Sequence, residues 1–501
     1  MSKKNKKLQF TLRNFSENDL IFTELPKIDS KSAVQRKDEN CLQHTHRFHN
    51  AFLFAGGERY CLPLAYQGDL SFPLSISCVN MKNKVSKYLW NLRCLPITSD
   101  SKLFYNLCQV ISKALKKLEA GSVFECEVLI LNDILGYYSS LHQTKKYNFI
   151  QMISRLLSYP NNVKWISAEN EFLCESDGLR LLLVFSIGTG KTLEYLHIWN
   201  FFRNPGFNSY SHSKEGSTNN FSNWRKIAAD LLDLGFKTGV WDSIVSPLYM
   251  GDIPEDFRYF AYYLCLCTLK NLNTLSIKYS MLAGGKGESL CHLECIKNGR
   301  LKVLNLLCTQ GDMPRKTSQL IYNSSWMKAL IYSPLLKVNL VIIQVIRFDE
   351  LKHIFQEKMP LQGFHLSCTG IPINGWETDT WLLDHTIKLM LNYYLNTLKR
   401  ISLELWYTPS NIDSSVTKLI STCQLLEEFE YRGTFDNIAT VEDICEFYVT
   451  KNTRIRKLYL LIREDPCCPD YYKKTLKVFQ STYEGHFINN GIDFLVSTCK
   501  I

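Results

Sequence analysis

The sequence lacks a long uninterrupted run of apolar residues. Its most apolar stretch, Leu335 to Ile346, contains Lys337, Asn339 and Gln344, whereas a membrane-spanning helix needs roughly 20 consecutive apolar residues. The chain begins with the basic stretch MSKKNKKLQFTLR, which contains no apolar signal segment. We therefore expect a soluble protein of the cytoplasm, the nucleus or both, with no membrane partner.

Common catalytic motifs are also missing. The sequence contains no GxSxG elbow, no HExxH helix and no strong Cys/His/Asp arrangement. We therefore expect a protein without catalytic residues of its own, without a metal and without a cofactor.

The stretch GTGKT, Gly188 to Thr192, resembles half of a phosphate-binding P-loop. A P-loop requires another glycine five residues before Gly190, where this sequence has Phe185. It must also open a helix, whereas Thr192 leads into LEYLHI, which has the pattern of a strand. The stretch is therefore interpreted as a turn whose glycines supply turn conformations, and no nucleotide binding is expected.

Charge of one sign is in mild excess only. The 58 Lys and Arg residues exceed the 48 Asp and Glu residues by ten, and part of this excess lies in the first dozen or so residues. Nucleic-acid-binding proteins usually concentrate basic residues on one face. Nucleic acid is therefore not an expected partner, and nonspecific binding through the basic leader stays a third alternative.

Cysteine is abundant, with 18 residues spread over the chain. Without a signal segment, this number fits a reducing compartment better than a disulfide framework. Cys265 and Cys267 lie among apolar residues in YYLCLCTL and are expected to pack as small hydrophobes. Cys467 and Cys468 lie between two prolines, a pattern that indicates a turn.

Three clusters contain potential ion ligands at spacings that differ from the usual motifs. CLQHTHRFH at 41–49 lacks the paired elements of a zinc finger, and CHLEC at 291–295 has no second pair of ligands. AGGKGES at 283–289 could form an anion-binding nest from its glycine N–H groups. These clusters are interpreted as leader, core and loop, respectively.

One pattern recurs from about residue 120: apolar, two variable residues, apolar, one variable residue, apolar. The last two apolar positions are two apart, so both point inward from a short strand. The copies are Val163, Ile166 and Ala168; Leu193, Leu196 and Ile198; Leu272, Leu275 and Ile277; Leu301, Leu304 and Leu306; Leu335, Val338 and Leu340; Leu361, Phe364 and Leu366; Leu398, Ile401 and Leu403; Leu426, Phe429 and Tyr431; and Ile455, Leu458 and Leu460. A weaker first copy is Val123, Cys126 and Val128. The long step from 193 to 272 leaves room for an insertion or for unrecognised repeats.

Helical patterns separate these strands, as in YNFIQMISRLLS, SSVTKLISTC and VEDICEFYVTKN, where apolar residues recur three or four apart. A short strand and a helix in each unit predict an α/β fold, an irregular leucine-rich-repeat solenoid or horseshoe. The alternative is a doubly wound sheet, whose buried strands usually form continuous apolar runs.

The repeat region resembles the F-box-only proteins with irregular leucine-rich repeats. The resemblance covers about 89–501 and rests on NLNTLSIKYS at 271–280, SSWMKALIYSPLLKVNLVI at 324–342, LISTCQLLEEFEYRG at 419–433, TRIRKLYLLIREDPCCPDYYKKTLKVFQ at 453–480 and the final GIDFLVSTCKI. It implies a substrate-recognition subunit of an SCF-type (Skp-cullin-F-box) E3 ubiquitin ligase, with the Skp adaptor and the cullin scaffold as partners and an unknown protein as substrate.

The resemblance also implies a small helical, F-box-like segment before the repeats. CLPL at 61–64, SCVNM at 77–81 and YLWNLR at 88–93 match parts of that module, although the stretch between its first two elements is too short. The predicted organisation is therefore a disordered leader at 1–45, a degenerate F-box-like segment at 46–95 and a leucine-rich-repeat domain at 96–501. The adaptor-binding positions implied by the resemblance are Leu62, Pro63, Cys78, Met81, Leu89 and Trp90. An interaction scaffold without ligase recruitment stays the main alternative function.

Outward positions of the predicted strands are candidates for contact with a target protein. They combine aromatic, hydrogen-bonding and basic side chains, a mixture that suits a protein surface, for example one with an acidic segment. The candidate target-binding residues are Trp165, Tyr195, His197, Trp199, Lys278, Asn305, Lys337, Asn339, His365, Arg400, Lys457 and Tyr459.

Overall fold

The computed structural model describes most of the second half of the chain and parts of the first. The described residues are 88–91, 126–130, 163–168, most of 181–198, 265–283, 289–309, 320–343, 348–368, 383–405, 412–451, 454–463 and 469–499, with scattered residues of 112–119 and 148–159. The chain divides into two units, 1–43 and 44–501. The first unit, which nearly coincides with the predicted leader, lies outside the described residues.

Twelve parallel strands form one sheet whose spatial order equals the order along the chain. The strands are β1 (Tyr88–Asn91), β2 (Cys126–Ile130), β3 (Trp165–Ser167), β4 (Tyr195–His197), β5 (Thr274–Lys278), β6 (Val303–Thr309), β7 (Lys337–Ile343), β8 (Leu361–Cys368), β9 (Arg400–Leu405), β10 (Glu428–Gly433), β11 (Lys457–Arg463) and β12 (Asp493–Cys499). The sheet is not closed, since β1 and β12 are its two edges. A doubly wound sheet reverses its strand order at a switch point, and the absence of any reversal in this order excludes that alternative.

Helices connect the strands from β5 onward. They are α1 (Tyr279–Ala283), α2 (Ser289–His292), α3 (Glu294–Lys297), α4 (Asn323–Tyr332), α5 (Phe348–Ile354), α6 (Leu383–Tyr394), α7 (Asp413–Thr422), α8 (Ala439–Thr450) and α9 (Pro469–Asn489). Each helix from α5 to α9 contacts the next one. Because helices on opposite faces of a sheet cannot touch, these five cover the same face. The chain is therefore an α/β protein.

Alternation along the strands and amphipathic helices together build the core. In β11, Leu458, Leu460 and Ile462 are buried, while the residues between them are half-buried. Helix α6 buries Leu383 and Ile387 on one stripe. These side chains belong to one continuous apolar core that extends from Leu115 to Val496.

The repeat pattern predicted most inward positions correctly and two wrongly. Leu335 is 71% exposed, and its neighbour Leu336 is buried instead, because the last turn before β7 ends one residue later than the pattern implied. In the first copy, Leu129 rather than Val128 pairs with the core residue Ile166 and is buried. A shift of one residue moves a strand side chain to the opposite face.

The 79-residue step corresponds to an insertion. Strand β4 pairs directly with β5, with Leu196 opposite Leu275. Among the described residues, no further strand lies between these two in the sheet.

The last helix closes the C-terminal end of the sheet. Helix α9 packs on the edge strand β12, and Phe487 stacks on Phe494 with ring centroids 4.3 Å apart. Gln480 Oε1 accepts a hydrogen bond of 2.6 Å from the backbone N–H of Val496. Among the described helices, none has both the length and the apolar character that a bilayer crossing requires.

Candidate functional site

The strand face turned away from α5–α9 carries the polar side chains of the sheet, and we call it the outer face. Its residues alternate with core residues, as Asn305 does with Leu304 and Leu306. Register places the outer-face residues in rows that cross the strands: one short row of Trp165, Tyr195, Thr274, Val303 and Lys337, followed by three longer rows. Row one is Ser167, His197, Ser276, Asn305, Asn339, Gly363, Arg400, Glu428, Lys457 and Asp493; row two is Lys278, Leu307, Val341, His365, Ser402, Glu430, Tyr459 and Leu495; row three is Thr309, Ile343, Ser367, Glu404, Arg432, Leu461 and Ser497.

An aromatic pair lies on β3 and β4. The Trp165 and Tyr195 rings are stacked with centroids 4.7 Å apart, and the two residues are directly paired across the strands. Both are half-buried. Offset or stacked aromatic pairs of this kind are rigid and present apolar area with few rotatable bonds.

A chain of hydrogen bonds links β5, β6 and β7. Asn305 Nδ2 donates to Ser276 Oγ at 2.8 Å, and Asn339 Nδ2 donates to Asn305 Oδ1 at 2.7 Å. The three residues are buried, with at most 1% of their surface exposed. We call them the amide ladder; its neutral groups can be buried because each is hydrogen-bonded to the next.

A small apolar cluster lies beside the amide ladder in the next rows. Leu307 and Val341 are fully buried and form a cluster separate from the main core, with Ile343 packed against them. Lys278 and His365 flank this cluster in row two and are buried as well. The outer face of β5–β8 is therefore largely removed from water.

Ionised side chains dominate the outer face of β9–β12. Arg432 Nη2 lies 2.7 Å from Glu430 Oε1, and Lys457 Nζ lies 3.5 Å from Glu430 Oε2. Lys457 Nζ also lies 4.3 Å from the centroid of the Tyr459 ring. Tyr459 donates its hydroxyl proton to Asp493 Oδ2. We call Glu430, Arg432, Lys457, Tyr459 and Asp493 the ionic cluster.

Opposite charges in the ionic cluster stabilise the ionised forms of Glu430 and Arg432. Burial alone would raise the pKa of Glu430, but Arg432 and Lys457 outweigh it and lower that pKa. Burial alone would lower the pKa of Arg432, and Glu430 with Glu404 raises it instead. For Tyr459, burial raises the pKa and the hydrogen bond to Asp493 raises it further. At neutral pH the cluster therefore holds an ionised carboxylate between two cations beside a neutral phenol.

The target-binding residues predicted from the sequence differ widely in exposure. Lys337 is exposed, and Trp165, Tyr195, Arg400, Lys457 and Tyr459 are half-buried. His197, Lys278, Asn305, Asn339 and His365 are buried, at 5% exposure or less. The expectation that all these positions form accessible strand surface is therefore wrong for these five. Trp199 lies outside the described residues.

The adaptor-binding positions are mostly outside the described part of the chain. Four of them lie there: Leu62, Pro63, Cys78 and Met81. The other two lie in β1, where Leu89 pairs with Val128 and Trp90 pairs with Leu129 of β2. Sequence analysis placed both in a helical segment ending at 95. A Tyr-Leu-Trp run has the large side chains that favour strands, and the sheet extends to it.

The GTGKT stretch connects a helix to β4, the reverse of a P-loop. Gly188 belongs to the end of a helical segment, and Lys191 lies in the turn before β4. Thr192 Oγ1 donates to the Val163 carbonyl at 2.8 Å, so its hydroxyl already has a structural partner. A helix C-terminus carries partial negative charge, which repels phosphate.

The reason for glycine at these positions is close packing. A Cβ on Gly188 would lie 2.7 Å from the Leu157 carbonyl oxygen, and one on Gly190 would lie 2.3 Å from that of Ser186. The described glycines with positive φ are Gly299 and Gly491. The predicted turn is confirmed, but the predicted need for special turn conformations is not its cause.

The described cysteines are packed as apolar residues. Cys265, Cys267, Cys291 and Cys295 are free and buried, and burial raises the pKa of Cys265 and Cys295 to about 12. The thiols of Cys265 and Cys295 are therefore protonated at neutral pH, unlike metal-binding or nucleophilic thiolates. In the described ranges, no three His, Cys, Asp or Glu side chains are grouped closely enough to hold a metal ion. The segments 41–49, 284–288 and 464–468 lie outside these ranges.

Sequence reasoning missed the third row, and it missed that Gly363 stands beside Asn339 in the first row. Glu404 and Arg432 lie one position beyond the repeat pattern, which stops at Leu403 and Tyr431, because β9 and β10 extend two residues further. Gly363 faces Asn339 only because β8 contains a register shift. The polar residues that directly follow each repeat unit could have predicted the third row. No protein-family model matches the chain.

Proposed function

We propose that the protein is an irregular leucine-rich-repeat solenoid that binds a target protein on its outer face and serves as the substrate-recognition subunit of an SCF-type ubiquitin ligase. The observation that carries the proposal is the sheet itself, in which consecutive strands are neighbours and successive helices cover one face. Repeat proteins with this connectivity form extended concave surfaces that they use for binding.

Accessible side chains on the outer face support a protein as the ligand. Lys337 is exposed, and Arg400, Lys457 and Tyr459 are half-buried. Arginine and tyrosine are enriched among residues that dominate protein interfaces. The three cations favour an acidic segment of the target, by electrostatic complementarity.

The proposed protein carries out no chemistry itself. Holding a lysine of the target near a charged ubiquitin-transfer enzyme makes the transfer effectively intramolecular. The Skp adaptor and the cullin scaffold would supply that enzyme, and the adaptor would bind the segment that contains Leu62, Pro63, Cys78 and Met81. This part of the proposal rests on the resemblance of the sequence to F-box-only proteins.

Charge reversal on the outer face tests target binding. We expect the triple variant Lys337→Glu, Arg400→Glu and Lys457→Glu to lose most partners that co-purify with the wild-type chain. Its circular dichroism spectrum should remain that of a folded chain, with a lower free energy of unfolding because Lys457→Glu places a second carboxylate beside Glu430. The matched control is Lys388→Glu, Lys418→Glu and Lys474→Glu, since these three exposed lysines lie on helices. Partner capture by the first variant at the wild-type level would contradict the proposed face.

Co-purification with the adaptor tests ligase recruitment. We expect the full chain to bring down the Skp adaptor and the cullin from cells, and the variant Leu62→Ala with Pro63→Ala to lose both. The double variant should keep its target proteins, because the outer face is unchanged. A wild-type chain that captures targets without adaptor or cullin would contradict the ligase role.

An interaction scaffold without ligase recruitment is the second candidate. It is favoured by the position of Leu89 and Trp90, which pair with β2 as part of the sheet. Two residues held in a strand have less freedom to contact an adaptor. The same co-purification experiment decides between the two functions.

A further inference from the structure

The last helix, α9, buries only one of its sides. The helix contacts β12 and α8, and it buries Leu476, Phe479 and Phe487. Its other side carries six exposed residues at steps of three, four, three, four and three, a spacing that places them in one line along the helix. These residues, which we call the α9 stripe, are Tyr471, Lys474, Val478, Ser481, Gly485 and Ile488.

Large apolar side chains of the α9 stripe are open to water. Tyr471 is 59% exposed, Val478 is 58% exposed and Ile488 is 61% exposed. They lie in the first turn, the middle and the last turn of the helix. One exposed apolar residue needs no explanation, whereas a line of them at alternating steps of three and four is the pattern by which two helices pack together.

Gly485 is a glycine inside a helix that packing within the chain does not require. Glycine destabilises a helix interior by about 1 kcal/mol relative to alanine. A Cβ on Gly485 would meet no atom of the described residues within 4 Å, in contrast to Gly188 and Gly190. A glycine on the α9 stripe allows the backbone of a second helix to approach closely. Ser481 is small as well, and its hydroxyl donates to the Val478 carbonyl at 2.9 Å, so that its donor keeps a partner when the stripe is covered.

The α9 stripe is complementary to itself when two copies of the helix pack antiparallel. A two-fold axis between Val478 and Ser481 would place each stripe residue opposite a residue of the second copy. The pairings would be Tyr471 with Ile488, Lys474 with Gly485 and Val478 with Ser481. In each pairing a larger side chain faces a smaller one. Lys474 can lay its aliphatic stem over the glycine while its ammonium group reaches water.

Charge complementarity favours the antiparallel orientation. Lys477 and Glu484 are exposed and lie seven residues apart, on the same flank of the α9 stripe. In an antiparallel pair, this flank meets the same flank of the second copy, so that Lys477 of each copy lies near Glu484 of the other. In a parallel pair it would meet the opposite flank, where Thr475 and Thr482 carry no charge. Ion pairs on the flanks of packed helices set partner choice and orientation.

We propose that α9 is a dimerisation helix, on which a second copy of this chain packs antiparallel through the α9 stripe. The same surface of both copies forms the contact, so the assembly closes at two copies. Helix α9 covers the face of the sheet opposite to the outer face, and the dimer therefore presents two outer faces. The inference goes beyond the proposed function and does not depend on it.

Sedimentation velocity of the full chain tests the proposal. One helix pair is a small interface, so we expect a reversible dimer that forms between about 1 and 100 µM protein. Lys477→Glu and Glu484→Lys should each raise the dissociation constant about tenfold or more, because like charges then meet at both ends of the contact. An equal mixture of these two variants should form heterodimers, and the double variant should dimerise again. Lys473→Glu is the matched control and should dimerise normally, since this exposed lysine of α9 lies outside the stripe and its flanks.

Gly485→Arg tests the close approach of the two helices. The added side chain should abolish the dimer, because it separates the helices and places a cation opposite Lys474 of the second copy. The free energy of unfolding in urea should not fall, since a Cβ has space at this position and arginine favours a helix more than glycine does. A wild-type chain that stays monomeric at about 100 µM would overturn the proposal, also if its α9 stripe captures a different protein. A dimer that neither Gly485→Arg nor the charge reversals weaken would overturn it as well.

Discussion

The two halves of the outer face bury polar groups in different ways. On β5–β7, Ser276, Asn305 and Asn339 are neutral, form a ladder and have at most 1% exposure. On β9–β12, Glu430 keeps 8% exposure and is held by two cations. An ion loses far more hydration energy on burial than an amide does. Complete burial is therefore tolerated by the neutral amide ladder, whereas Glu430 needs the compensating charges of Arg432 and Lys457.

The largest effect is expected from Glu430→Ala, which would leave Arg432 and Lys457 partly buried without their shared carboxylate. We expect the free energy of unfolding in urea to fall by about 3 kcal/mol. Glu428→Ala on the same strand is the control, since Glu428 is half-buried and lies outside the ionic cluster. Equal losses for the two variants would show that the cluster is not a stabilising unit.

A smaller loss is expected from Asn305→Leu, which breaks the amide ladder in the middle. Ser276 Oγ and Asn339 Nδ2 would each lose a partner, and we expect a loss of about 2 kcal/mol in the same measurement. This loss should be independent of salt, whereas that of Glu430→Ala should shrink at high ionic strength. The same salt dependence in both variants would contradict the contrast between the two halves.

The pH dependence of stability should depend on the ionic cluster and not on the amide ladder. The pKa of Glu430 is lowered in the folded state, so below the unfolded pKa of about 4.3 the unfolded chain binds more protons. Its stabilising contribution is present above that pH and is lost as the pH falls through the lowered pKa. We expect Glu430→Gln to flatten the acid limb of the stability profile, and Asn305→Leu to shift the profile down without changing its slope.

The smallest effect is expected from Lys399→Ala, a change at a partly exposed residue directly before β9. Lys399 Nζ lies 2.8 Å from Glu427 Oε1, and the pair is partly exposed. Surface ion pairs contribute about 0.5 kcal/mol, so the change in unfolding free energy should lie near the limit of detection by urea denaturation. A loss comparable to that of Glu430→Ala would mean that exposure does not set the strength of these pairs.

Local periodicity was enough to predict the α/β class and most of the strands, because each strand pairs only with neighbours in the sequence. The spacing of Leu458 and Leu460 marks β11 without knowledge of any distant residue. The same local signal misplaced Leu335, since the buried residue before β7 is Leu336, two residues before Val338 and not three as in the pattern.

The candidate site was less predictable because it depends on pairing between strands. The amide ladder requires Asn305 and Asn339 to stand opposite each other. The pairing of Gly363 with Asn339 requires the register shift in β8. Neither feature has a signature within one segment. The exposure of these side chains was equally hard to predict. Lys337 and His365 both occupy outward strand positions, but Lys337 is exposed and His365 is buried.

The contact between Gln480 and Val496 has a consequence for self-association. A terminal strand with free N–H and C=O groups can recruit a strand from another molecule and start a fibre. The Gln480 carboxamide already occupies one of these groups in β12, and α9 is packed against the strand. An incoming strand would have to displace that side chain before it could add to the sheet, which helps to keep individual chains from polymerising end to end.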